Sequence, residues 1–170
     1  MIKVSGGSGV KLLECTNPRR NKYKVRWNVT EVKDEDGNVT GVEFMEEDFD
    51  HMPELSEIKS LIIDWYNTQT TEKIKSGFTY QDTAVWLSNE NQFNYKVAYD
   101  NAVQTNGTSL PVKFKFGTDD APVYKQFNTV KELKAFHMAW TTYISTLLAT
   151  AWGEKDKIDW TQYETTLPTK

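Results

Sequence analysis

The sequence predicts an α+β protein, with an N-terminal arm and β-hairpin followed by an α-β-β-α-β-β-α module that carries a small antiparallel sheet. Three observations support this. Apolar and polar residues alternate in short paired runs separated by turn residues, which marks hairpins. Three longer stretches repeat apolar residues at helical spacing. Hairpins and helices fall into separate blocks, which favours an antiparallel sheet.

Residues 1–22 read as an attachment arm. Gly6, Gly7 and Gly9 around Ser8 form a flexible joint, Val10, Leu12 and Leu13 make a short apolar patch, and Asn17-Pro18 marks a turn. Such a segment cannot fold alone and is expected to pack on something. Residues 23–50 read as a β-hairpin. Tyr23, Val25, Trp27 and Val29 alternate with Lys24, Arg26, Asn28 and Thr30, Asp36-Gly37 supplies the turn, and Val39, Val42 and Phe44 return. Glu46, Glu47, Asp48 and Asp50 read as a solvated acidic run ahead of a helix, where negative charge suits the helix N-terminus.

Residues 51–163 form the α+β module. Leu55, Ile58, Leu61, Ile62, Trp65 and Tyr66 recur at helical spacing, Ile74 extends the stripe, and Gly77 stops a helix over 54–76. Phe78–Tyr80 and Thr83–Leu87 read as short strands about a Gln81-Asp82 turn. Ser88 caps a helix from Asn89 to about Gln104, with Phe93, Val97 and Ala98 on its buried face and Asn106-Gly107 as terminator. Val112, Phe114 and Phe116 begin a second hairpin that turns at 117–120 and returns through Val123, Tyr124 and Phe127. Thr129 and Glu132 match a capping box. Leu133, Phe136, Trp140, Tyr143, Ile144, Leu147, Leu148 and Ala151 then line one face of the last helix, with Gly153 as its end. Ile158, Trp160 and Tyr163 should fold back onto the body, and residues 164–170 form a flexible tail.

Composition narrows the function. With 38% hydrophobic and 26% charged residues, the 170-residue chain suits one folded domain or a domain plus an arm. Its net charge is -4, and its basic cluster, Arg19, Arg20, Lys22, Lys24 and Arg26, is short, so nucleic acid is not an expected partner. Lys24 and Arg26 read as the solvated side of a strand. Cys15 is the single cysteine, which rules out an intrachain disulfide and a cysteine-based zinc site. No apolar run has the length of a membrane span or a signal-peptide core, so no membrane insertion is expected. Synthesis in a reducing cytoplasm follows, with exit by lysis or inside a particle.

The chemical candidates are weak. Cys15 with His51 or His137 offers a thiol and a base, but nothing in the arm would lower the thiol pKa. Asp34 to Asn38 with Glu43 hints at a calcium loop, yet Val32 falls where the first carboxylate is needed. Adjacent carboxylates among Glu46, Glu47, Asp48 and Asp50 point to opposite strand faces and do not make a glycosidase pair. Gly6 to Lys11 lacks the Gly-Lys-Ser/Thr of a phosphate loop. Trp27, Trp86 and Trp160 are candidates for stacking on sugars, whereas Trp65 and Trp140 sit on helical stripes and read as core. No catalytic, cofactor or metal site is expected. The candidate interface residues are Val10, Leu12, Leu13, Trp27 and Trp160.

Several segments together carry a resemblance: Asp36-Gly-Asn-Val-Thr-Gly-Val, Glu57-Ile-Lys-Ser, Asp64-Trp-Tyr-Asn, Ile74-Lys-Ser-Gly-Phe, Val85 to Lys96, Leu110 to Asp119 and Ala151 to Trp160. Over residues 36–163 the chain resembles an uncharacterised domain family of tail-fibre and tail-fibre-assembly-type proteins of bacteriophages and prophages, in the version typical of phages of gut Bacteroidales. The segment Trp86 to Lys96 is the most specific part. The resemblance implies no active-site residue. It implies a virion structural protein, a fibre or tail-associated module that assembles with other virion proteins and with copies of itself. The alternatives are a carbohydrate-binding host-receptor module that meets a cell-surface glycan, a fibre-assembly chaperone, and a head (capsid) fibre or decoration protein.

Overall fold

The computed structural model describes residues 1–7 and 9–164. Ser8 of the expected joint and the expected flexible tail from Thr165 onward lie outside the described residues. The protein is α+β, with helices and small antiparallel sheets. The chain divides into two units: Met1–Trp65 with the segment from Ile158 onward, and Tyr66–Lys157. The sequence reading divided the chain after residues 22, 50 and 163.

The first unit is built on a four-stranded antiparallel sheet in the order β1-β4-β3-β2. β3 (Lys22–Lys33) and β4 (Val39–Phe49) are the expected hairpin, longer than the alternation suggested. Asp34 closes the turn by accepting the backbone N–H groups of Asp36 (3.0 Å) and Asn38 (2.8 Å), while Gly37 takes the positive φ that the turn requires. The arm is not a separate appendage. Ile2–Gly6 forms β1 against β4, Leu13–Asn17 forms β2 against β3, and the two halves of the arm thereby flank opposite edges of the hairpin. The physical reason is pairing: each outer strand satisfies a row of N–H and C=O groups that the hairpin would leave open. At Gly41 a Cβ would lie 2.9 Å from the carbonyl oxygen of Gly6, so a side chain there would force β1 away from β4.

Leu13, Val25 and Trp27 form the buried apolar face of this sheet, and Ile58 and Ile62, from the first half of α1 (Leu55–Ser76), are buried in the same unit. Trp65 meets Trp27 edge-on at 6.1 Å. After residue 157 the chain returns to form a one-turn helix, α4 (Thr161–Glu164), whose Tyr163 is buried and donates its hydroxyl to the carbonyl of Arg26 at 2.8 Å.

The second unit holds the rest of α1, a hairpin of β5 (Phe78–Tyr80) and β6 (Thr83–Val85), α2 (Asn89–Gln104), a hairpin of β7 (Val112–Gly117) and β8 (Pro122–Phe127), and α3 (Val130–Asp156). Its core is aromatic. Phe136 of α3 sits among Tyr80 (5.0 Å), Tyr95 (5.1 Å), Phe127 (5.2 Å) and Phe116 (5.3 Å), centroid to centroid. Thr129 and Glu132 make the expected capping box. Gly77, after α1, lies where a Cβ would come within 2.8 Å of the Lys73 carbonyl oxygen, which itself accepts the Tyr143 hydroxyl.

Two element-level expectations are corrected. Gly153 does not end α3, which continues to Asp156, since glycine weakens a helix without breaking it and Glu154 and Lys155 favour continuation. The buried face of α2 is not that of Phe93 and Val97, both exposed, but that of Tyr95 and Ala102. Tyr95, Tyr99 and Ala102 fall at i, i+4 and i+7, a second stripe that competes with the first.

Candidate functional site

The expected interface residues do not form one surface. Leu13 and Trp27 are buried in the core of the chain's own sheet and are not available to a partner. β2 pairing on β3 turns Leu13 inward opposite Val25. Val10, Leu12 and Trp160 are half-buried, and the Lys59 ammonium lies over the Trp160 ring at 5.6 Å.

The strand face expected to be solvated is a network of ion pairs. Arg26 is buried, donates Nε to Glu46 Oε2 at 2.7 Å, pairs with Glu14 at 2.7 Å and donates to the carbonyl of Lys11 at 2.9 Å. Lys24 also bonds Glu46, which is buried in turn. The acidic run ahead of α1 is solvated in part: Asp48 and Asp50 stay largely exposed, whereas Glu46 is buried. Glu47 pairs with the N-terminal ammonium, Asp48 with Lys24 at 3.5 Å, and Asp50 with Lys22. Register explains this, because Arg26 lies opposite Glu46 and Lys24 opposite Asp48. Burial pushes the Glu46 carboxyl up, but hydrogen bonds from Lys24 and Arg26 outweigh it and hold the group below the ordinary carboxylate value. A carboxyl held ionised in this way is a poor proton donor.

The remaining chemical candidates have structural partners. Asp34 closes its turn, and Glu43 pairs with Lys3 at 2.7 Å. Cys15 is exposed on β2 opposite Tyr23. His51 Nε2 lies 3.0 Å from Glu57, and its ring meets Phe49 edge-on. His137 belongs to the second unit, stacked on Tyr99 at 4.3 Å and edge-on to Trp140 at 5.0 Å. Among the described residues, no three His, Cys, Asp or Glu side chains are grouped to hold a metal ion, and no helix is long and apolar enough to cross a membrane.

Two features of the second unit stand out instead. The first is the segment Trp86 to Lys96. Its polar residues hold the backbone: Ser88 Oγ accepts the Asn91 N–H at 3.2 Å, Asn91 Nδ2 donates to the Trp86 carbonyl at 2.8 Å, and Gln92 Nε2 donates to that of Leu87 at 2.7 Å. Leu87 and Tyr95 are buried, yet Trp86 is 49% and Phe93 66% exposed. Val97, one turn beyond Phe93, is exposed as well.

The second is a groove of about 190 Å³ between α1 and α3. Asn67, Thr70, Thr71 and Ile74 line it from α1, and Leu148, Ala151, Trp152 and Lys155 from α3. Both sets fall at i, i+3, i+4 and i+7, the neighbouring positions of one helix face. Lys155 Nζ donates to Asn67 Oδ1 at 2.8 Å, and the Thr70 hydroxyl donates to the Tyr66 carbonyl at 2.8 Å. Trp152 is 57% exposed. Sequence reading missed it because it ended the apolar stripe of α3 at Ala151, although Trp152 stands one turn after Leu148 on the same face. Comparisons with protein-family models, curated proteins and solved structures return no match to this chain.

Proposed function

We propose that the chain is a non-enzymatic structural protein of a bacteriophage particle, a fibre or tail-associated module that works by protein–protein assembly, made in the host bacterial cytoplasm and carried in the virion. The observation that carries this reading is the exposure of Trp86 and Phe93 within Trp86 to Lys96, the segment on which the family resemblance is most specific. The segment's polar side chains hold its backbone in place, so its aromatic rings are presented on a rigid base. Burying one such ring against a partner is worth about 2 kcal/mol, and aromatic anchors are enriched at interface centres. The partners are other virion proteins and further copies of this chain.

The test is light scattering on the full chain at rising concentration, together with mass spectrometry of purified particles. The expected result is an oligomer that Trp86→Ala with Phe93→Ala converts to a monomer of unchanged circular dichroism, and the chain present in the particles. A wild-type chain that stays monomeric and is missing from particles overturns the reading. An oligomer found only in infected-cell lysates marks an assembly factor instead.

A further inference from the structure

The α1–α3 groove of the second unit joins one exposed aromatic face to a short row of polar groups. Trp152, largely exposed, and Ala151, small and buried, both line it. The bond from Lys155 to Asn67 Oδ1 fixes the side-chain amide, so that its NH₂ is a directed donor, and leaves two further N–H groups on the ammonium. Thr70 donates its hydroxyl proton to the Tyr66 carbonyl, which leaves its oxygen as an acceptor toward the groove, and Thr71 adds a second hydroxyl. Amide, ammonium and hydroxyl groups therefore stand beside a flat apolar ring within one depression.

We propose that this groove binds a saccharide, with one pyranose ring stacked on Trp152 and its hydroxyls hydrogen-bonded to Asn67, Thr71 and Lys155. A pyranose has the matching duality: an apolar C–H face and a rim of hydroxyls that need both donors and acceptors. Tryptophan suits such a ligand because it offers a large apolar surface at a wet site. The groove lies below the roughly 300–1,000 Å³ of sites that enclose drug-sized ligands, which fits a single ring lying across an open depression. Nucleic acid is disfavoured, since Lys155 is the one cation among the lining residues. A docking helix is disfavoured too, because it would cover Asn67, Thr71 and Lys155 with apolar surface and leave them unsatisfied. The inference is independent of the Trp86 and Phe93 surface, and either can fail without the other.

The experiment is a titration of the full ¹⁵N-labelled chain with cello-, manno-, chito- and galacto-oligosaccharides, each alone, followed by the Trp152 indole and Asn67 amide signals. Expected is a saturable, joint shift of both signals by at least one of the four in the millimolar range. Trp152→Ala should weaken that binding by about tenfold or more, the scale of one lost aromatic contact. Trp152→Phe should retain part of it, Lys155→Met should weaken it, and Trp86→Ala should leave it unchanged. Trp152 is largely exposed, so its replacement should leave the rest of the spectrum in place. Absence of any joint shift across the four sugars, or binding that survives Trp152→Ala, overturns the proposal. Shifts at Trp152 that follow protein concentration and not sugar also overturn it, by marking the groove as a protein contact.

Discussion

At the scale of single residues, two titratable groups tie stability to pH in opposite corners of the chain's chemistry. Glu46 is held ionised by Lys24 and Arg26, with its folded pKa below the ordinary 4.5. Its contribution is therefore present above 4.5 and lost as pH falls through the depressed folded value. Glu46→Ala leaves Arg26 buried with only Glu14 as a carboxylate partner, and should cost about 3 kcal/mol in urea unfolding at pH 7. Glu46→Gln should flatten the acid limb of the stability curve below pH 4.5. His137 works on the other charge type. Burial holds its imidazole below the ordinary 6.5, with Asp100 opposing and Lys96 assisting, and its Nδ1 is buried without a hydrogen-bond partner. The neutral ring is the one that fits against Tyr99 and Trp140, so stability is full above 6.5 and declines as pH falls through the folded value. Replacement by Phe should remove the decline between pH 6.5 and the folded pKa, read as a smaller shift of the unfolding midpoint between pH 7 and pH 5.5 in the variant than in the wild type.

At the scale of elements, α3 shows how a local rule yields to its surroundings. Its start is fully local: Thr129 Oγ1 accepts the Glu132 N–H at 3.2 Å, and Glu132 accepts the Thr129 N–H at 3.1 Å. Its end is not, because the helix passes through Gly153 to Asp156. Gly153 has no atom near the place a Cβ would occupy and no positive φ. Gly153→Ala should therefore stabilise the chain by about 0.8 kcal/mol through helix propensity and lost unfolded-state freedom, seen as a higher thermal midpoint. A lower midpoint would mean that the glycine serves a contact that the structure does not contain. The residues beyond Gly153 include Lys155, which lines the α1–α3 groove.

At the scale of the whole molecule, the division into two units makes a prediction about cooperativity. The first unit is discontinuous, closed by the return of Tyr163 to the carbonyl of Arg26. Tyr163→Ala removes a buried aromatic ring and should cost about 3–4 kcal/mol. Its effect should fall on the unit that Tyr163 closes. Hydrogen exchange should speed up in β3 and β4 while the α2 and α3 amides of the second unit keep their protection. Uniform acceleration across both units would show that they unfold as one.

Local patterns determined much of this protein. The order of helices and hairpins, the Ser88 and Thr129 caps, the Asp34 turn and the bounds of α1 and α2 follow from neighbours in sequence, because caps, turns and amphipathic periods act over a few residues. Tertiary structure decided the rest. The first half of the arm became an edge strand through partners that lie 36 to 44 residues away, from Gly6↔Val42 to Ile2↔Glu46, while its second half pairs with β3 only 5 to 12 residues on. Arg26 and the acidic run became an ion-pair network only when register set them opposite one another. On α2 the sequence reading took the stripe of Phe93, Val97 and Ala98, but packing of Tyr95 against Phe114 and Phe136 turned the helix the other way and left Phe93 in water. Trp152 became a candidate binding residue for the same reason: α1 supplied the other wall of its groove, and no period within α3 encodes the approach of a second helix.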